Sequence, residues 1–158
     1  MNKKFLILLL TLVLTVSFFA VHKSIANNEI SQDNIKKIEE EEKDCIDKNF
    51  ETDYDMMQCS IIAMEKYNLE IEKVLKSSKK LFSKEQYEQM LKAQAKWEEF
   101  MKENNLLLEM IYEKDCPPYL PCLVAQGERS ALTKEHAQLL IGQHNVYKLF
   151  QEKGIPND

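Results

Sequence analysis

The chain has 158 residues, 44% of them hydrophobic and 30% charged, with 21 Lys and Arg against 26 Asp and Glu and a formal net charge of −5. That length suits one domain around one core. The acidic balance argues against a protein built to grip nucleic-acid phosphates, which demand Lys and Arg, and it permits attraction to a basic protein partner.

The first 26 residues read as a secretory signal peptide cut after Ala26. Lys3 and Lys4 form the positive start, Phe5 to Val21 is a run of 17 residues without charge, and Ser24 and Ala26 are the small residues of a cleavage site. The alternative is an uncleaved anchor, but a spanning helix needs about 20 apolar residues and this run falls short. The segment holds no cysteine for lipid attachment. The expected mature chain, residues 27–158, has 132 residues, no second apolar run of spanning length, and 18 Lys and Arg against 26 acids, a net charge of −8. Its expected location is outside the cytosol.

Cys45, Cys59, Cys116 and Cys122 all lie beyond the cut, and an oxidising compartment pairs them. Four cysteines allow three connectivities. Pairing of sequence neighbours is preferred. Cys45–Cys59 closes a loop of about 15 residues, worth roughly 3 kcal/mol. Cys116–Cys122 closes a short loop in KDCPPYLPC, residues 114–122, whose prolines already restrict φ. Zinc and redox sites favour Cys-x-x-Cys spacing. This Cys-x5-Cys spacing, with His136 and His144 at no matching interval, points to a staple across an inter-helix turn. No metal or cofactor is expected.

In chain order, residues 27–51 form an acidic arm or a short helix. Ile30, Ile35 and Ile38 give it a thin apolar stripe, and the run Glu39–Glu42 reads as a solvated face. Thr52 is an N-cap with Asp55 three residues on, and Met57, Ile61, Met64, Ile71 and Leu75 continue a helical period to about Phe82. Ser83 caps the next helix with Gln86 completing its box. Met90, Gln94, Trp97, Met101, Asn104, Leu108 and Ile111 then recur at intervals of three and four, a near-heptad seam. Trp97 is expected in the core. Pro117 and Pro118 end that helix. A third pattern runs from about Leu123 to Glu152, with Leu132, His136, Leu139, Gln143, Tyr147 and Phe150 on one face and with Gly127 and Gly142 as points of weakness. Residues 153–158 read as a frayed tail. Nothing alternates with period two for the length of a strand. The expected fold is all-α: a small antiparallel bundle of about three long helices, stapled by disulfides, over residues 52–152.

Two fragments carry a resemblance. One is TDYDMMQC, with Thr52, Met56, Gln58 and Cys59; the other is AQAKWEEF, with Ala93, Gln94, Trp97 and Phe100. Preceded by Cys45 and followed by Cys122 and Leu132-Thr133, they resemble the family of small exported bacterial domains named for the lysozyme inhibitor LprI, over about Cys45 to Leu140. The chain departs from that pattern where Asn105 stands in place of a cysteine, Met101 and His136 in place of arginines, and Ile71 to Leu75 in place of a Leu-Asn-x-x-Tyr signature. The resemblance implies a secreted, cystine-stapled helical module, periplasmic or extracellular in a bacterium, that binds a lysozyme and blocks cell-wall hydrolysis. Lysozymes are typically basic, and their cleft places two carboxyl groups about the glycosidic bond, so an acidic inhibitor is steered towards them. Within the Cys116–Cys122 loop, Tyr119 and Leu120 are the candidate partner-binding tip, since a preorganised loop loses less entropy on binding.

Catalysis finds little support. His136 and His144 stand eight residues apart, about 12 Å along a helix, too far to share a metal, and His136 reads as a core histidine. Adjacent acids such as Glu98 and Glu99 point in different directions. Two binding classes therefore remain: a lysozyme inhibitor, and an envelope interaction or assembly module acting through residues 27–51.

Overall fold

A computed structural model of the protein describes residues 30–113 and 120–154. The expected signal peptide, Cys116, Tyr119 and the last four residues of the expected tail lie outside the described residues. Of those described, 92% are helical and none forms a strand. The elements are α1 (Gln32–Lys48), α2 (Asp53–Leu81), α3 (Lys84–Leu108), a π turn (Glu109–Glu113) and α4 (Leu120–Glu152). Three long helices are thus joined by a shorter fourth, in the segment that sequence alone left between arm and helix.

Local chemistry sets the boundaries. Ser31 caps α1 by accepting from Asp33 N–H at 3.1 Å. Thr52 caps α2 by accepting from Asp55 N–H at 3.1 Å, and its hydroxyl donates to Asp55 Oδ2 at 2.6 Å. The Ser83 box at α3 is complete: Gln86 N–H donates to Ser83 Oγ at 3.2 Å and Ser83 N–H donates to Gln86 Oε1 at 3.0 Å. These bonds satisfy amides that a helix start leaves without partners. The same Gln86 oxygen accepts from the Tyr147 hydroxyl at 2.7 Å, which ties the α2–α3 turn to α4. Neither Gly127 nor Gly142 breaks α4, which runs for 33 residues.

Cross-helix contacts give the topology. Met64 meets Gln126 and Ser78 meets His144, so α2 and α4 run parallel. Contacts Asn34–Glu70 and Lys134–Glu39 set α1 antiparallel to both. Contacts Gln94–His136 and Asn105–Arg129 set α3 antiparallel to α4. The α2/α4 pair is the spine, because their facing residues are small: Ser60, Ala63 and Ser78 on α2, with Ala125, Ser130, Thr133 and Ala137 on α4, all buried. Small side chains let two helix axes approach closely. Ile35 and Ile38 of α1 close the core on one flank, and α3 adds only Met90 to it on the other, with Trp97 packed against its edge.

The buried face of α4 corrects the sequence expectation. It comprises Ala125, Gln126, Ser130, Thr133, Ala137, Leu140, Ile141 and His144, whereas Leu139 is 56% exposed and Phe150 38%. Four buried positions each lie one residue beyond the expected stripe, a rotation of about 100°. The expected face turns towards α3 instead. The acid run of α1 is exposed at Glu39, Glu40 and Glu41, the solvated face its charge implies. From that face Glu41 pairs with Lys66 of α2 at 2.7 Å, Glu39 with Lys134 of α4 at 3.1 Å, and Glu42 accepts from Ser130 at 3.4 Å. These contacts link α1 to the spine, each weakly because water screens it. The Lys66 bond holds the Glu41 carboxyl below its ordinary range.

Candidate functional site

Cys45, in the last turn of α1, and Cys59, in the second turn of α2, form a disulfide with Cα atoms 5.7 Å apart. Asn49 Nδ2 donates to the Cys45 carbonyl at 2.7 Å and closes the turn above it. Cys122, in the first turn of α4, is also disulfide-bonded; its expected partner Cys116 lies outside the described residues. Leu120, the described member of the proposed loop tip, is the first residue of α4 and 56% exposed. Thr52 is the α2 cap, and Met56 and Gln58 are half-buried on its first turns.

The second motif gathers around a stacked ring pair. Trp97 of α3 is half-buried rather than central, and its ring lies on the His136 ring with centroids 4.0 Å apart and planes 5° from parallel. His136 Nε2–H donates to Gln94 Oε1 at 2.8 Å, and Gln94 Nε2 donates to Glu98 Oε1 at 2.9 Å. This relay explains why Gln94 interrupts the apolar seam: it satisfies a histidine on the facing helix. Phe100 points elsewhere and is 50% exposed. Thr133 is buried, and its hydroxyl donates to the Arg129 carbonyl at 2.8 Å.

Burial lowers the pKa of His136 to about 4, against a small opposing pull from Glu98, and burial followed by Lys148 lowers that of His144. Both imidazoles are neutral at pH 7. The unfolded chain takes up these protons near pH 6.5, whereas the folded His136 refuses its proton until about pH 4. Stability from this source is therefore complete above pH 6.5 and is lost as pH falls towards 4. The melting temperature should decline across that window, and His136→Phe, which keeps a ring against Trp97, should flatten the decline. An unchanged slope in the variant would contradict the assignment.

Two further surfaces stand out. An open groove of about 700 Å³ runs between α3 and α4, lined by Phe82, Met90, Leu139, Val146, Tyr147 and Phe150 among others, with no charged residue in its wall. The turn between α1 and α2 is the opposite in character: residues 40–55 hold eight Asp and Glu against two Lys, with Phe50 71% exposed and Tyr54 48%. Periodicity could not have found the groove, since it arises from the way α3 rides on the spine. Charge counting could have found the acidic turn.

Among the described residues no group of three or more His, Cys, Asp or Glu could hold a metal ion, and no helix is long and apolar enough to cross a membrane. What fold and surface define together is a cystine-stapled helical bundle whose histidines and buried amides serve its packing. Comparison of the chain with protein-family models, with curated proteins and with solved structures finds no match in any of the three.

Proposed function

We propose that this chain is an exported, non-catalytic binding protein similar to the LprI-like lysozyme inhibitors, and that it acts by binding a basic lysozyme and blocking cell-wall hydrolysis. The observation that carries this reading is electrostatic. The expected mature chain holds 26 acids against 18 Lys and Arg, on a bundle closed at one end by cystine bonds. A rigid acidic body attracts a basic partner at long range and loses little entropy on docking. The Thr52–Cys59 and Gln94–Phe100 motifs support the family likeness. One builds the cap and staple of α2, and the other builds the Trp97–His136 clasp.

The test is a cell-wall lysis assay with purified residues 27–158 titrated against a basic lysozyme, at low and at moderate salt. Lysis should slow in proportion to the added protein, and the effect should weaken once the Debye length falls below about 8 Å. Unchanged lysis at a large molar excess would overturn the inhibitor reading. A second reading, an envelope interaction or assembly module without inhibitor activity, is favoured by the uncharged α3/α4 groove. Normal lysis together with binding through that groove would establish it.

A further inference from the structure

Because α2 and α4 run parallel and α1 and α3 run against them, the C-terminal ends of α1 and α3 share one pole with the N-terminal ends of α2 and α4. That pole carries the Cys45–Cys59 staple and the disulfide-bonded Cys122. It also carries large apolar side chains turned outward: Phe50 at 71% exposure, Leu106 at 54%, Leu107 at 52%, Met110 at 75%, Ile111 at 59% and Leu120 at 56%. Met110 and Ile111 sit in the π turn that ends α3, an irregularity often found at functional positions. Large apolar residues left exposed at one end of a bundle mark an interaction surface.

The charge around them names the partner. The acidic segment 40–55 borders this pole, and Glu103 of α3 and Glu109 of the π turn add to it. The far part of α2 carries the lysine ladder Lys73, Lys76 and Lys80. Acidic surface repels nucleic acid and the anionic headgroups of a bilayer. It complements a basic protein, in the usual pattern of an apolar centre inside a charged rim. We infer that the stapled pole is the docking face for a basic globular protein, with Phe50 and Met110 as apolar anchors and the 40–55 acids as the steering rim. This inference rests on the proposed reading of the chain as a binder, and it locates the surface through which the chain binds.

Calorimetric titration of residues 27–158 with a basic c-type lysozyme, and separately with cytochrome c as a second basic protein, tests it. The double variant Phe50→Ser/Met110→Ser should lose about tenfold or more in lysozyme affinity. Leu91→Ser/Leu149→Ser, placed on exposed positions towards the other pole, should bind within about twofold of the parent. Circular dichroism confirms that both variants stay folded, as exposed sites allow. Lysozyme binding unaffected by Phe50→Ser/Met110→Ser overturns the docking face and leaves the proposed function standing. Binding of cytochrome c alone, sensitive to that variant, removes lysozyme as the target and keeps the face. Binding of neither protein overturns both.

Discussion

Replacing Cys45 and Cys59 together with alanine should lower the unfolding free energy by about 3 kcal/mol and the melting temperature by on the order of 10 °C. The bond joins residues 14 apart in sequence, across the turn between α1 and α2. Without it the unfolded chain regains the freedom of that loop, and α1 depends on Ile35, Ile38 and its ion pairs with Lys66 and Lys134. Those ion pairs lie at least partly in water, where each is worth little. Cys59 is 3% exposed, so alanine also leaves a small void there. Thermal unfolding of the oxidised parent against the double variant measures the difference. A loss under about 1 kcal/mol would show that the two isoleucines hold α1 unaided.

Tyr67→Ala should cost about 3 to 5 kcal/mol, the range for emptying a buried aromatic site. Tyr67 is fully buried at the centre of α2, among Ile35, Ala63, Ile71 and Ala137 in the same cluster. Its hydroxyl faces α1, where burial first and the carboxylates of Glu42 and Glu39 second push its pKa far above the ordinary phenol range. The hydroxyl itself is buried and has no hydrogen-bond partner among the described residues. Tyr67→Phe keeps the volume and removes that unsatisfied group, so it should cost less than about 1 kcal/mol or stabilise the fold. Chemical denaturation of both variants separates ring from hydroxyl. Equal losses would mean that the hydroxyl, and not the ring, fills the role assigned to the core.

The helices were legible because their punctuation is chemical and local. Thr52 and Ser83 mark helix starts whatever the tertiary packing, and both caps form the bonds their spacing implies; the Cys116-Pro117-Pro118 stop lies outside the described residues. The seam of α3 was legible as far as Leu108, since Met90, Gln94, Met101 and Leu108 are all buried, but Ile111, expected to continue it, lies in the π turn and is 59% exposed. The face of α4 was not legible. A search for large apolar residues selects Leu139 and Phe150, whereas the helix buries Ala125, Ser130, Thr133 and Ala137. What decides that face is how closely two backbones can approach, which favours small side chains that carry no hydropathy signal. The same reason displaced Trp97, which stacks on His136 at the edge of the core instead of filling it. The acid run Glu39–Glu42 is as exposed as its charge implies, but its partners Lys66, Ser130 and Lys134 are 25 to 95 residues away in sequence, where no local pattern reaches. Of the candidate surface, the acidity of residues 40–55 could be counted directly, but that Met110 and Leu120 stand at the same pole depends on α2 and α4 being parallel.

The proposed function requires a chain that has left the cytosol, lost its leader and been oxidised. Intact-mass and peptide mass spectrometry of the native protein, alkylated before any reductant is added, measures all three at once. The predicted result is a chain beginning at Asn27, with no alkylated cysteine and with a linked peptide pair containing Cys45 and Cys59. A chain that retains residues 1–26 and carries four alkylated thiols would contradict it.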